Sequence, residues 1–437
     1  MKLYFIGIGG ISMSALAQFL HDLGNDVSGS DVVENDQVKI LKSKGIKVFV
    51  PQKKENIDKK INEVVYTSAI TPGSPGDTEL QEAKRLEIKT KKRAQKIGEI
   101  TKKMKTIAIS GTHGKSTTTS MMLQVMLENK KDPSTLLGSG FDLIGGNYRI
   151  GKDKNLVLEA DEFDRSFLSF YVDYGALLNI EPDHLDYFKG GIQEIREVFV
   201  EYLENNLKKS AVLVYNNEDA NIKKVIGRLK RKDLELISFG KGGDFTLKDL
   251  KTEMKVPGFH NRMNALAVFA LASKLILDED KTLKALGDFK GAERRFDYKG
   301  KKNGVIVYDD YAHHPTEVKA TLQAARENFT RKRVIAVFQP HQYSRTKFFA
   351  NDFVASFKDA DIVIIPPIYQ VMGRDEKKEI DNFKLAKMIK KNGKICFATE
   401  NFDKTVVKLK EITKSGDLLI VMGAGPVNEV ADKFLNT

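Results

Sequence analysis

Residues 106–110 are apolar enough for a buried strand, and they run into Gly111-Thr112-His113-Gly114-Lys115-Ser116 and then a helix-forming stretch from 117 to 128. A strand, a glycine loop and a helix in that order form the unit from which parallel α/β sheets are built. The loop's N–H groups and the helix dipole together bind phosphate. The same order appears at the start of the chain: a strand over 3–8, a turn at Gly7-Ile8-Gly9-Gly10, a helix over 11–23, and a second strand over 26–29 that ends at Asp31. A third alternation follows the polar stretch 290–295, with strands at 305–308, 333–338, 361–365 and 418–422 and a helix over 316–327. The chain has 437 residues, and at about 150 residues per domain that length matches three domains. The expected fold is three consecutive α/β domains: a Rossmann-like N-terminal domain over 1–98, a central P-loop-type ATPase domain over 99–292, and a Rossmann-like C-terminal domain over 293–437.

Composition removes several classes. The single cysteine, Cys396, permits no internal disulfide, and the chain opens on a strand and a glycine loop rather than an export signal. No stretch is long and apolar enough for a membrane span, so the expectation is a cytoplasmic protein without membrane insertion. The net charge of +12 is spread out. Its runs at 89–93, 102–105 and 230–232 lack interleaved aromatics and read as solvated helix faces, with no nucleic-acid partner.

The 111–116 loop carries the strongest chemistry. Lys115 suits the β and γ oxygens of a nucleotide and the Ser116 or Thr117 hydroxyl a Mg²⁺, although Ile109 stands where a Walker A loop has its first glycine, so the loop is shorter. Glu159 ends the apolar run 156–158 and is the better metal candidate of Glu159-Ala160-Asp161-Glu162, where an exposed acidic turn is the alternative. His184, in Asn179-Ile180-Glu181-Pro182-Asp183-His184-Leu185-Asp186, is either a second metal ligand or part of a capped surface turn. The first glycine turn resembles the dinucleotide fingerprint with Asp31 as its acid. Ser12 replaces the third glycine, which points to a diphosphate other than NAD, with Asp31 reaching a ribose or base. In the last third, Asp309-Asp310-Tyr311-Ala312-His313-His314-Pro315 and Gln339-Pro340-His341-Gln342-Tyr343-Ser344-Arg345-Thr346 each follow a strand. They suit a small zwitterion, with Arg345 forking onto its carboxylate.

With His260-Asn261-Arg262-Met263-Asn264 and Arg294-Arg295-Phe296 added, this ordered set resembles the muramate-peptide (Mur) ligases over the whole chain. The resemblance implies that the first domain binds the UDP of UDP-N-acetylmuramate through Gly7, Gly9, Gly10, Asp31 and Ser68. The middle domain binds ATP and Mg²⁺, and the last takes an amino acid, L-alanine in the branch that it looks most like. It implies an acyl-phosphate intermediate. Lys115 serves the transferring phosphoryl group, Gly111, Thr112, His113, Gly114, Ser116 and Thr117 the nucleotide, and Asn261, Asn264, Arg295 and Asp310 its adenine, phosphate and interdomain contacts. Ser116, Thr117 and Glu159 would hold one metal and His184 another. Tyr311, His313, His341 and Arg345 surround the amino acid. Phe199 stands where the later-acting ligases carry a carbamylated lysine, as in the alanine-adding branch, and Gln342 where the family often has arginine. Within the family, the recycling ligase that attaches a tripeptide to the same sugar nucleotide is the nearest rival. A nucleic-acid motor or a dehydrogenase leaves two of the three motif sets without a role.

Overall fold

The computed structural model describes residues 1–370 and 377–437. Three sheets carry the fold. The first has five parallel strands in the order Lys47–Phe49, Asp26–Ser30, Lys2–Ile6, Glu63–Tyr66 and Lys89–Lys92. The second has seven, in the order Glu235–Phe239, Leu207–Asn216, Val172–Leu177, Lys105–Ser110, Asn155–Ala160, Ser134–Phe141 and Gly146–Arg149. Only its last pair is antiparallel. The third has six, running Asp297–Lys302, Val305–Asp310, Leu418–Met422, Val334–Phe338, Ile362–Ile365 and Ile395–Ala398, again with one antiparallel pair at an edge. The three-fold α/β alternation expected from the sequence is therefore present.

By compactness the chain divides into two units. One comprises residues 1–183, 187–253 and 264–288 and contains the first two sheets; the other comprises 184–186, 254–263 and 289–437 and contains the third. In the first unit the central strands carry buried apolar runs: Leu3, Tyr4, Phe5 and Ile6 in one sheet and Ile107, Ala108 and Ile109 in the other are all buried, as strands covered on both faces require. In the second unit the third sheet buries Val334, Ala336 and Phe338 on one face and Ile335 and Val337 on the other.

Several boundaries shift. The helix after the phosphate loop begins at Lys115, not at 117, because Gly114 supplies the left-handed N-cap (φ 84°). The strand holding Glu159 continues to Ala160, so this acid lies inside the strand. Residues 89–92 form an edge strand and not a helix face: Lys91 pairs with the buried Glu63 at 2.7 Å, and lysine is a common guard of sheet edges. The hairpin of Ser134–Phe141 and Gly146–Arg149 has no counterpart in the sequence reading, since its pairing is set by neighbours distant along the chain.

Candidate active site

At the carboxyl edge of the second sheet, Gly111 (φ 136°) leaves the strand, and the Asn179 carbonyl receives the Thr112 amide at 3.1 Å. A Cβ on Gly111 would lie 3.1 Å from the Asn179 backbone, so glycine is required there. The Asn179 side chain closes the loop further by accepting from the His113 N–H at 2.7 Å and donating to its carbonyl at 3.0 Å. Lys115 Nζ, mostly buried, donates to the Gly111 carbonyl at 2.6 Å, the Thr112 carbonyl at 3.1 Å and Glu162 at 2.9 Å, with Asp161 at 3.7 Å. Burial alone would lower this ammonium's pKa. Glu162, Asp161 and Glu159 outweigh it and hold the group firmly charged.

Ser116 Oγ donates to Glu159 Oε2 at 2.9 Å, and the other oxygen of Glu159 accepts from the Gly138 amide at 2.7 Å. A Cβ at Gly138, within the strand Ser134–Phe141, would sit 2.9 Å from Glu159 Oε2, so the carboxylate would have to shift to admit a side chain there. The Ser116–Glu159 pair offers hard oxygen donors suited to Mg²⁺. Thr117, one position on, is buried. His184 falls with the second unit, in the left-handed region (φ 51°).

The first glycine loop is tied down differently. The Gly7 and Ile8 amides both reach the Ser30 carbonyl, at 2.9 and 3.0 Å, and Gly10 N reaches the Gly7 carbonyl at 3.3 Å. The Gly9 amide donates to Asp31 Oδ2 at 2.7 Å. Gly10 is the N-cap of the helix Ile11–Asp22, without a side-chain cap. The second sheet's hairpin rests on that helix, Asn147 on the Ile11 carbonyl at 3.0 Å and the Tyr148 hydroxyl on Asp22 at 2.7 Å. Ser68 is engaged too, donating to Asp164 at 2.6 Å beside a 2.8 Å ion pair between Asp164 and Lys92.

Sequence reasoning missed two features here. Asp164 and Arg165 both adopt left-handed backbone (φ 52° and 53°), a strained pair held by Ser68 and Lys92 on one side and by Glu194, 3.1 Å from Arg165, on the other. Arg93, first residue of the helix Arg93–Thr101, was hidden in a basic run. Burial lowers its pKa, and the charges of Asp161, Glu159 and Asp164 act on it. No local pattern marks either one, because their partners lie between 29 and 96 residues away along the chain.

In the second unit the third sheet's carboxyl edge gathers the histidines. Asp310 is buried, accepting from the Phe296 amide at 2.8 Å and the Ala312 amide at 2.8 Å, and burial pushes its carboxyl up to about 6 despite Arg295. Arg295 lies over the Tyr311 ring, 5.0 Å from its centroid. Next in the chain, His314 caps the helix Pro315–Asn328, whose first residue is the proline that the sequence placed there. His313 Nδ1 meets Glu317 at 3.2 Å and the Tyr311 carbonyl at 3.1 Å, and its ring lies 5.8 Å from that of His341. The buried Arg345 contacts His341 Nδ1 at 3.1 Å. Gln342 is buried with φ 68° and ψ 137°, an unfavourable backbone for a side-chain-bearing residue. Its amide on the Tyr369 carbonyl (2.8 Å) and its carbonyl under Thr346 Oγ1 (2.7 Å) hold it there. Asn261 and Asn264 share the helix Phe259–Lys274. Asn261 donates to the Pro257 carbonyl at 2.6 Å, and a Cβ on Gly114 would come within 2.8 Å of Asn264 Oδ1.

Each of the first two sheets thus carries a glycine loop that opens a helix, and the third carries the histidines at its edge. Family models agree along the chain: the Mur ligase family catalytic domain matches residues 2–105, the Mur ligase middle domain 109–272 and the Mur ligase glutamate ligase domain 294–425. The chain belongs to the Mur ligase family. Among curated relatives, the UDP-N-acetylmuramate–L-alanine ligases of Clostridium kluyveri and Acetivibrio thermocellus are each 42% identical, covering 100% and 99% of this chain and 98% and 95% of those proteins. The crystal structure of the UDP-N-acetylmuramate–alanine ligase of Thermotoga maritima superposes with a TM-score of 0.83 at 28% identity, over 100% of this chain and 98% of that one.

Proposed function

We propose that the chain joins L-alanine to UDP-N-acetylmuramate with ATP, giving ADP and phosphate, as a step of peptidoglycan synthesis in the cytoplasm. The observation that carries this reading is the 111–116 loop, with a charged Lys115 and the Ser116–Glu159 pair at 2.9 Å, in a chain matched end to end by L-alanine ligases. Those relatives favour it over tripeptide recycling. The muramyl carboxylate attacks the γ-phosphorus and ADP leaves. The alanine amine, having lost a proton, then attacks the acyl carbon and phosphate leaves.

Lys115 offsets charge on the transferring phosphoryl group. Ser116 and Glu159 would hold one Mg²⁺ and His184 a second; bound there, the metal supplies charge neutralisation on the phosphates. Asn261, Asn264, Arg295 and Asp310 are the further nucleotide contacts. Arg345 forks onto the alanine carboxylate, and His313 and His341 are the bases beside the amine, with Tyr311 as a wall. Gln342 brings no charge, which leaves the carboxylate to Arg345. The test is phosphate release with ATP, UDP-N-acetylmuramate and each amino acid in turn. L-alanine gives the highest kcat/KM; release with a tripeptide and not with alanine would overturn the assignment.

A further inference from the structure

In a dinucleotide-binding unit the acid at the end of the second strand hydrogen-bonds a ribose, and the glycine loop offers its amides to the pyrophosphate. Here both groups are already engaged within the protein. All four loop amides are spent inside the protein: Gly7 and Ile8 on the Ser30 carbonyl, Gly10 on the Gly7 carbonyl, and Gly9 on Asp31. The Asp31 carboxylate is used on both oxygens, one taking the Gly9 amide at 2.7 Å and the other the Val32 amide at 2.7 Å. Asn35 adds a second tie: it caps the helix Asp36–Ser43 through its side-chain oxygen and donates its side-chain amide to the Gly9 carbonyl at 3.1 Å. The fit is close, since a Cβ on Gly9 would lie 2.9 Å from Asp31 Oδ2 and 2.8 Å from Val38.

We infer that Asp31 is a positioning residue: it clamps the glycine loop to the turn after the second strand so that the first-turn amides of the helix Ile11–Asp22 face the diphosphate of the UDP-sugar, and it makes no contact with the ribose. The inference rests on the reading of the first sheet as the UDP-sugar site, and it replaces a ribose or base contact for Asp31.

The test compares wild type with Asp31→Ala and Asp31→Asn, using UDP-N-acetylmuramate and its 2′-deoxyuridine analogue. Wild-type binding of UDP-N-acetylmuramate by calorimetry comes first; its failure would remove the site reading itself, separately from the clamp. Given that binding, Asp31→Ala should raise KM for the UDP-sugar about tenfold, with kcat and the KM values for ATP and L-alanine within about twofold. Asp31→Asn, which keeps one acceptor for the Gly9 amide, should recover part of the loss. The fold-change should be the same with the 2′-deoxy substrate, because the energies of independent contacts add. Hydrogen exchange at the Gly9 amide should be slow in wild type and faster in Asp31→Asn, a readout that holds even if the alanine variant fails to fold. A penalty that disappears with the 2′-deoxy substrate, a KM unchanged in Asp31→Ala, or a fast-exchanging Gly9 amide in wild type would each overturn the clamp.

Discussion

Residues 7–10 and residues 111–114 both leave a parallel strand and both open a helix, yet acids near them act in opposite ways. At the first loop Asp31 accepts the Gly9 amide at 2.7 Å and closes the loop on itself. At the second, Glu162, Asp161 and Glu159 surround Lys115 and keep it charged, while Glu159 pairs with the Ser116 hydroxyl. Backbone shape is common to the two; charge differs. A loop without a cation can hold a diphosphate on helix amides but has nothing to stabilise a phosphoryl group in flight. A loop with a lysine and a hydroxyl–carboxylate pair has both the cation and a place for a metal. Under the proposed function the difference divides the labour: the first loop would bind and the second react.

The largest effect should come from removing that cation. Lys115→Ala should lower kcat by roughly a thousandfold while leaving KM for the UDP-sugar nearly unchanged and the circular dichroism spectrum intact. A soluble variant with near-normal turnover would erase the distinction between the loops. Next, Ser116→Ala should cost on the order of a hundredfold in kcat and shift the Mg²⁺ dependence to higher concentration, whereas Thr117→Ala should stay within a few-fold, because it is the Ser116 hydroxyl that donates to Glu159. Equal losses in a Mg²⁺ titration would contradict that ordering. At the first loop, Gly9→Ala would press a Cβ within 2.8 Å of Val38 and 2.9 Å of Asp31. It should raise KM for the UDP-sugar about tenfold, with KM for ATP unmoved; steady-state kinetics with each substrate varied would show it.

The smallest effect concerns what burial does to charge where no opposite charges outweigh it. In the second unit burial pushes Asp310 up to about 6. Asp310 binds more protons in the folded chain between its ordinary 3.8 and about 6, so it makes stability fall with rising pH over that window. Asp310→Asn should remove that slope, so that urea midpoints fall less between the two values than in wild type, by at most about 1.4 kcal/mol per pH unit.

The strand–loop–helix units were legible because their signals are local: an apolar run, glycines where positive φ is needed, and helix formers after them. Gly111 and Gly114 both have positive φ, and Pro315 opens its helix as its fixed geometry dictates. The candidate site residues could be named as types and in their order along the chain. Which partner each one takes could not be. Asp31 and Ser68 both read as ligand contacts, and the partners the structure gives them are the Gly9 amide and Asp164. The lysines of 89–92 read as a solvent face and form a strand over the buried Glu63. In each case the deciding partner comes from another segment, and charge runs do not announce whether an acid lies beneath them.

The central claim is that the 111–116 loop delivers the γ-phosphoryl group of ATP to the muramyl carboxylate before the amine attacks. UDP-N-acetylmuramate labelled with ¹⁸O in both carboxylate oxygens, turned over with ATP and L-alanine, tests it directly by mass spectrometry of the products. The account predicts one ¹⁸O in each released phosphate and one retained in the new amide. Phosphate without label, its extra oxygen drawn from water, would contradict it.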